Sequence, residues 1–499
     1  MSNVTRQAAA IIRAAQSVPC QPWPRHVLAV AEWQAMAAAL AAAPDLVLLA
    51  LWADAQAVHA LFHDRPAQAF LPASVVVAAG SYPALSPHRP EAAWFERAIH
   101  DLWGFRADGG RDLRPWLDHG AWEHAAPLAA RPPVERPLAR SSPLLHSAAS
   151  MPLAFLDPYG EDADEIPIGP LAPDIAAAGL FRVAVHGSTV AGLELRLGYL
   201  HKGILALMRG KSPRAAARFA ARLAGAATVA HSIAFAHAAE AASDAMAPPR
   251  AAALRAVMAE AERIAIQLAD SAAICRAAGA PLPAGRLLWH REAMLRAAAL
   301  AFGHRLMMDV VIPGGVAADI APGGADALAA AAAILSLELP ELEQLSAGGL
   351  AARLAGIGVV AARLASDARS VPGYPPYGEL NLATPVRQGG DVAARLAVRL
   401  DALRQSCRLL RTVLADLPPG GLAATLPLVS AEGIGWAEGP RGGIWHWLRL
   451  EGGQIAAAFL CDPSWHHIPL LEAAMRGSDL ADLDLVRHSF GLSHAGIDM

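Results

Sequence analysis

Cysteine is scarce in this chain. Cys20, Cys275, Cys407 and Cys461 are the only four in 499 residues, and they form no Cys-x-x-Cys pair. That excludes a disulfide framework and a cysteine metal knuckle, and fits a reducing cytoplasm. Charge is thin as well: charged residues make up 17% and the net charge is −4. Acids and bases are interspersed, so no basic stripe runs along the sequence to neutralise a phosphate backbone or dock on anionic lipid, and nucleic acid is excluded as a partner. Long apolar runs are missing too. No window of about 18 consecutive apolar residues is free of charge or of helix-breaking Gly and Pro, and the opening Thr5-Arg6-Gln7 has no signal-peptide pattern. Membrane contact is therefore expected through partners, with no transmembrane segment in this chain.

What is present is apolar and rich in alanine. Hydrophobic residues reach 55%, enough to repay the ordering entropy of a folded, mostly helical chain. At about 100–200 residues per domain the length allows roughly two to four domains. The mean hydropathy of +0.32 has two equally good accounts, extensive buried contact between subunits or the alanine content itself.

Residues 1–125 mix short apolar runs with helical patterns. Val27–Val30, Leu46–Leu51 and Ser74–Ala79 read as strands and Trp33–Ala42 as a helix, giving a small α+β domain. From 126 to 165 come Pro127, Pro132, Pro133, Pro137, Pro143, Pro152 and Pro158, a spacing that forbids helix and ladder alike and reads as a linker. Residues 166–499 open on a β segment at Phe181–Val185 and continue as long helices to about 415. Leu254, Val257, Met258, Ala261, Ile264 and Leu268 recur at helical spacing, with Arg255, Glu260, Glu262 and Arg263 between them. Arg250–Gly279 thus reads as an amphipathic helix ended by glycine. Asp391 is placed to cap a second helix, Val392–Leu414, and Gly433–Leu450 reads as a hairpin before a tail. The fold class is α+β, a small amino-terminal α+β domain joined to a mainly α-helical domain with minor β. There is no internal repeat.

Two stretches carry a family resemblance. Phe95-Glu-Arg-Ala-Ile-His-Asp-Leu-Trp-Gly-Phe105, followed by Arg111-Asp-Leu-Arg-Pro-Trp-Leu-Asp-His-Gly-Ala-Trp122, resembles the signature of the small hydrophilic subunit of respiratory complex I. Glu165-Ile-Pro-Ile-Gly-Pro170 and Arg196-Leu-Gly-Tyr-Leu-His-Lys-Gly203 resemble the start of the complex I quinone-cavity subunit and of membrane-bound nickel–iron hydrogenase large subunits. Phe302–Asp309, Pro313–Val316, Gly390–Arg399 and Glu438–Gly442 continue the likeness in family order. Fusion of both modules looks most like large subunits of the formate-hydrogenlyase type.

The resemblance implies a nickel–iron centre held by two Cys-x-x-Cys pairs, because soft thiolates bind and tune these metals. At the first pair this chain has Arg222-Leu-Ala-Gly-Ala-Ala227 before Ala230-His231, and at the second Asp462-Pro-Ser-Trp-His-His467. The ligand positions hold Ala224, Ala227, Ser464 and His467, so no nickel–iron centre is expected and no cofactor is assigned to this chain. The histidine and tyrosine that the complex I resemblance implies for quinone reduction correspond to Ala172 and Gly225, so quinone turnover in the usual manner is not expected either. An iron–sulfur cluster is expected in a small-subunit partner. The other implied partners are ion-translocating membrane subunits, with this chain peripheral on the cytoplasmic face of the inner membrane.

Arg222, His231, Asp462, His466 and His467 are expected to gather near the vacated metal position. They read there as a proton relay or, at about two to one, as a hydrogen-bonded polar core. His231, His237 and Glu240 share a segment but not a face, which argues against a metal site there. Glu260 and Asp270 read as a solvated or interface face. Arg395 and Arg399, one turn apart, read as a surface for an acidic partner or for solubility. His100-Asp101 reads as a docking motif, Met307-Met308 as core filler, and a zinc site at Cys461, His466 and His467 as sterically awkward. The resulting expectation is a scaffold or coupler between an iron–sulfur subunit and membrane subunits. The alternative is an oxidoreductase subunit passing electrons to a quinone or another acceptor in the vacated cavity.

Overall fold

The computed structural model describes residues 5–120, 122, 124–129, 159–160, 162–171, 177–346, 348–360, 368–371 and 374–499. Ala172 lies outside them, as do the linker residues 130–158. The amino-terminal unit is a five-stranded sheet made of β1 (Gln16–Val18), β2 (Arg25–Leu28), β3 (Leu46–Ala53), β4 (Ala57–Asp64) and β5 (Ala69–Val76), in the order β1-β2-β5-β4-β3. Only β2 and β5 run parallel; the other pairs are antiparallel. Helices α1 (Thr5–Ala14), α2 (Val30–Leu40) and α3 (Ala92–Trp103) complete it.

The predicted helix and the strand at Leu46 are present, although α2 begins at Val30, where the sequence reads as strand. Strand β4 and helix α3 were not predicted. Asp101 of α3 faces inward. Its Oδ2 accepts the N–H groups of Trp116, Leu117 and Asp118 at 2.8, 2.7 and 3.3 Å, so it ties the two halves of the signature together. His100 Nδ1 lies 3.6 Å from Asp101 Oδ1 and the His100 side chain is half exposed.

After the prolines, β6 (Asp164–Ile168), β7 (Leu180–His186) and β8 (Thr189–Arg196) form an antiparallel sheet. The helical body follows: α4 (Thr228–Ala242), α5 (Pro249–Ala277), α6 (Pro281–Phe302), α7 (Gly324–Ser346) and α8 (Val392–Ala415). Asp391 caps α8 as predicted, accepting the Ala394 N–H at 2.8 Å. The predicted hairpin is β9 (Ala431–Gly439) with β10 (Gly442–Glu451), and a third strand, β11 (Gln454–Cys461), pairs with β10. The carboxyl end is not a loose tail, because α9 (Ser464–Met475) and α10 (Leu483–Phe490) pack into the body.

The amphipathic reading of α5 is corrected. Arg255, Glu260, Glu262, Arg263 and Asp270 are all buried, because α4, α6, α8 and α10 pack around the helix. Its charges are neutralised inside the protein, as buried charges must be. Arg255 binds Glu240, Arg369 and Tyr377 bind Glu260, and Arg441 binds Asp270. Arg399 is likewise buried on Asp270, Gln267 and the Ser489 carbonyl, while Arg395 donates to Ser489 Oγ and to the Gly358 and Gly390 carbonyls. Neither arginine forms a partner surface.

Candidate functional site

Helix α4 lies directly on β9. A Cβ on Gly433 or Gly435 would run into the backbone of α4 at Ala238 and Ala234, so glycine there permits the approach. Ala234 and Ala238 are both fully buried in the core. At the helix start, Ala227 accepts the His231 N–H at 2.9 Å, and the side chains of Ala224 and Ala227 are buried methyls. Glu262 of α5 accepts the N–H groups of Val229 and Ala230 at 2.7 and 3.0 Å, satisfying two donors that the first helical turn leaves open. Burial pushes Glu262 up to about 7 against the pull of those hydrogen bonds and of Arg263.

Asp462 follows β11 and meets α4 from the opposite side. Its Oδ1 accepts the Ser464 N–H at 2.8 Å, and its Oδ2 lies 3.0 Å from His231 Nε2. His231 Nδ1 is 3.0 Å from His446 Nε2 on β10, with the two rings stacked 5.2 Å apart. Ser464 Oγ accepts the Ser493 N–H at 2.8 Å. Burial raises Asp462, but the hydrogen bond and charge of His231, with Ser464, outweigh it and hold the carboxyl below its ordinary range. Burial and the neighbouring His231 keep His446 well below the usual imidazole value, and its Nδ1 has no hydrogen-bond partner.

The predicted gathering is partial. His231 and Asp462 meet, with Ser464 alongside. His467 stands in the electrostatic field of Asp462; burial drives it down to about 3, and its Nδ1 is unpartnered. His466 points elsewhere, its Nε2 lying 2.8 Å from the Leu49 carbonyl of the amino-terminal sheet. Arg222 lies on the surface in a two-pronged pair with Asp309 at 2.6 and 2.7 Å. His446 was missed by sequence reasoning. Its signal was a lone imidazole in the apolar run Ile444-Trp-His-Trp-Leu448, paired across the sheet with Gly435, the residue that lets α4 approach.

His237 and Glu240 diverge from His231 as their spacing predicts. His237 Nδ1 is 2.9 Å from the Trp436 carbonyl, and Glu240 binds Arg255 and the Gly314 N–H. Cys461 Sγ faces the Leu49 carbonyl at 3.7 Å, and burial pushes the thiol well above its ordinary value. Among the described residues, no three His, Cys, Asp or Glu side chains are grouped so as to hold a metal. The four family ligand positions supply two methyls, a hydroxyl already engaged and one ring, a donor set that does not fit nickel and iron.

Two cavities lie along α4: one of about 260 Å³ is lined by His237, Glu240, Arg255, Tyr374 and Trp436, and a smaller one lies at the helix start beside Glu262. The latter measures about 110 Å³ and is lined by Gly225, Glu262, Arg291, Arg305 and Met307 with apolar residues of α6. Met307 is buried, as core filler should be. Gly225 is exposed and has open space where a Cβ would stand.

Two family models match separate stretches of the chain. Residues 32–137 match the family model of the 30 kDa subunit of respiratory-chain NADH dehydrogenase, and residues 278–432 match that of the 49 kDa subunit. Both stretches with altered ligand positions, 222–231 and 462–467, fall outside those matches. Hydrogenase-4 component G of Escherichia coli (strain K12) is 26% identical over 417 residues, 81% of this chain and 73% of that protein. Formate hydrogenlyase subunit 5 of the same organism is 26% identical over 429 residues, 81% of this chain and 74% of that protein. Among solved structures, a chain of an archaeal membrane-bound sulfane sulfur reductase, a respiratory membrane complex, superposes with a TM-score of 0.64 at 21% identity. That match spans 69% of this chain and all of the other, and at that identity it speaks for the fold. No described helix is long and apolar enough to cross a membrane.

Proposed function

The chain belongs to the family of fused 30 kDa- and 49 kDa-type subunits of respiratory complex I and membrane-bound hydrogenases, and from that premise we propose that it joins an iron–sulfur subunit to ion-translocating membrane subunits as a scaffold or coupler, without a nickel–iron centre of its own. The observation that carries this reading is the donor set. Ala224 and Ala227 offer no donor atom, Ser464 Oγ is engaged by Ser493, and the only nearby thiol, Cys461, faces a carbonyl. Around them the framework is filled with satisfied contacts, the His231–Asp462 pair and the Glu262 cap among them. Such a site holds elements together and has no thiolate to bind metal.

The rival reading, electron transfer to a quinone or another acceptor, finds less support. Among the described residues, the polar groups of the cavity beside Glu262 are Glu262, Arg291 and Arg305, with neither a phenol nor an imidazole; the cavity at His237 and Tyr374 has both, but burial raises the phenol and lowers the imidazole, which makes each a poor proton donor to a reduced headgroup. Purification of the complex through a tag on this chain, followed by metal analysis and quinone-reduction assays, separates the two. The scaffold reading expects substoichiometric nickel, and any quinone reduction by the complex to survive His231→Ala. Stoichiometric nickel, or reduction abolished by that variant with subunit composition unchanged, would overturn it.

A further inference from the structure

The fold gathers a basic surface that the linear sequence does not display. Around Asp309 stand Arg222, Arg218 and His304, and around Glu292 stand Arg296, Arg291 and Arg305. Five arginines thus gather in two clusters around two carboxylates, on a chain whose net charge is −4. Arg222 is paired with Asp309 and Arg296 with Glu292. Arg291 and Arg305 make no hydrogen bond or ion pair among the described residues; both line the 110 Å³ cavity, and Arg291 Nε is shut away from solvent with no acceptor. A buried guanidinium nitrogen without an acceptor carries a desolvation cost that a carboxylate entering the cavity would remove.

The same helix, α6, also exposes apolar side chains, on the side turned away from the cavity-lining Met294, Leu295 and Ala298. Leu288, Trp289 and Leu300 are exposed, Trp289 by 58%, and at 100° per residue they share a face with Glu292 and Arg296, at whose edge Arg291 stands. We propose that the basic mouth of this cavity, and not the Trp289 side of the helix, is a docking surface for an acidic face of another protein chain, with one partner carboxylate seated in the cavity between Arg291 and Arg305. This rests on the reading of the chain as a subunit of a larger assembly. A planar guanidinium presents two parallel N–H donors that match a carboxylate. The interspersed Glu292 and Asp309 and the concave receptor favour a shaped protein face over a lipid surface.

The test uses the intact complex. Lys202 and Lys211 are the only lysines in the chain, so Arg305→Lys places a nearly unique amine at the cavity mouth. Treatment of that complex with a zero-length carbodiimide is expected to join position 305 to an Asp or Glu of a subunit that co-purifies stoichiometrically, as located by mass spectrometry. The double variant Arg291→Glu/Arg305→Glu is expected to lose at least about tenfold of that subunit, and wild-type retention should fall with added salt. The melting temperature of the isolated variant chain, compared with wild type, separates lost docking from misfolding. Cross-links confined to this chain, undiminished co-purification of the double variant, or binding to anionic vesicles that the double variant abolishes while subunit retention is unaffected, would overturn the proposal. A wild-type chain that purifies alone would overturn the assembly reading and this proposal together. An assembled complex indifferent to both variants would overturn only the placement of the surface.

Discussion

Glu262 and His446 flank the start of α4 and spend their polar atoms differently. Both oxygens of Glu262 are engaged, whereas one nitrogen of His446 is buried without a partner, at a cost of about 1–3 kcal/mol. Glu262 also carries a pH signature. Burial raises it from 4.5 to about 7, so the folded chain binds more protons than the unfolded one across that interval. Its contribution to stability is therefore full below about pH 4.5 and lost as pH rises through about 7. Glu472, raised to about 8, and Asp498, raised to about 6, act in the same direction. Glu262→Gln should flatten the fall in unfolding free energy between about pH 5 and 7 by ~2 kcal/mol, measured by urea unfolding at a series of pH values; an unchanged slope would place the titration on another group. At this scale the sequence was half legible. His231 and Asp462 sit in the two stretches that the family resemblance singles out, and they meet. Arg222 and His466 occupy the same stretches but turn outward or toward the amino-terminal sheet, since a motif fixes a position in the chain and not the direction of a side chain.

Helix α4 on β9 is the contact that sets the site, and it depends on glycine. Gly435→Ala would put a Cβ against the Ala234 carbonyl and the Ala238 nitrogen, both backbone and unable to yield. A loss of ~3 kcal/mol is expected from such overpacking. Gly225→Ala, placed where nothing stands near the new methyl, should stay within about 0.5 kcal/mol. Thermal unfolding of the two variants side by side checks the pair, and equal effects would mean that helix and strand are not in close contact. The long helices were legible because apolar spacing, the Asp391 cap and the terminal glycines all agree. The inward burial of α5 was not, because its charges occur at the same spacing whether they meet water or Glu240, Arg369 and Arg441. Strand β4 escaped because His59 and His63 interrupt its apolar run. In the fold His59 stacks on Trp52, lies 3.0 Å from Asp54 and packs against Trp447 of β10, contacts supplied by residues outside the strand.

At the scale of the whole molecule the question is whether the amino-terminal unit is an appended module or part of the body. A proline-rich connection suggests the former, yet the contacts favour a joined structure. Arg25 of β2 makes a two-pronged pair with Glu432 of β9 at 2.8 and 2.7 Å, and Arg449 of β10 binds Asp54. Trp23 packs on Phe70 of its own unit and on Trp436 across the boundary, with centroids 4.4 and 5.0 Å apart, and Phe95 stacks on Trp465 at 4.5 Å. His466 and Cys461, beside Asp462 and Ser464, both face the Leu49 carbonyl of β3, so the region of the candidate site is itself part of the seam. A scaffold whose two modules bind different partners transmits force only if this seam holds. Arg25→Met leaves Glu432 nearly buried and uncompensated, and Glu432→Leu does the same to Arg25; each single variant should cost ~3 kcal/mol. The double variant should cost clearly less than the sum, with a coupling of ~1–3 kcal/mol, as read from denaturant unfolding followed by tryptophan fluorescence and circular dichroism together. Full additivity, with one unit melting ahead of an unaffected other, would make the amino-terminal unit a tethered module and remove the physical basis for coupling through this chain.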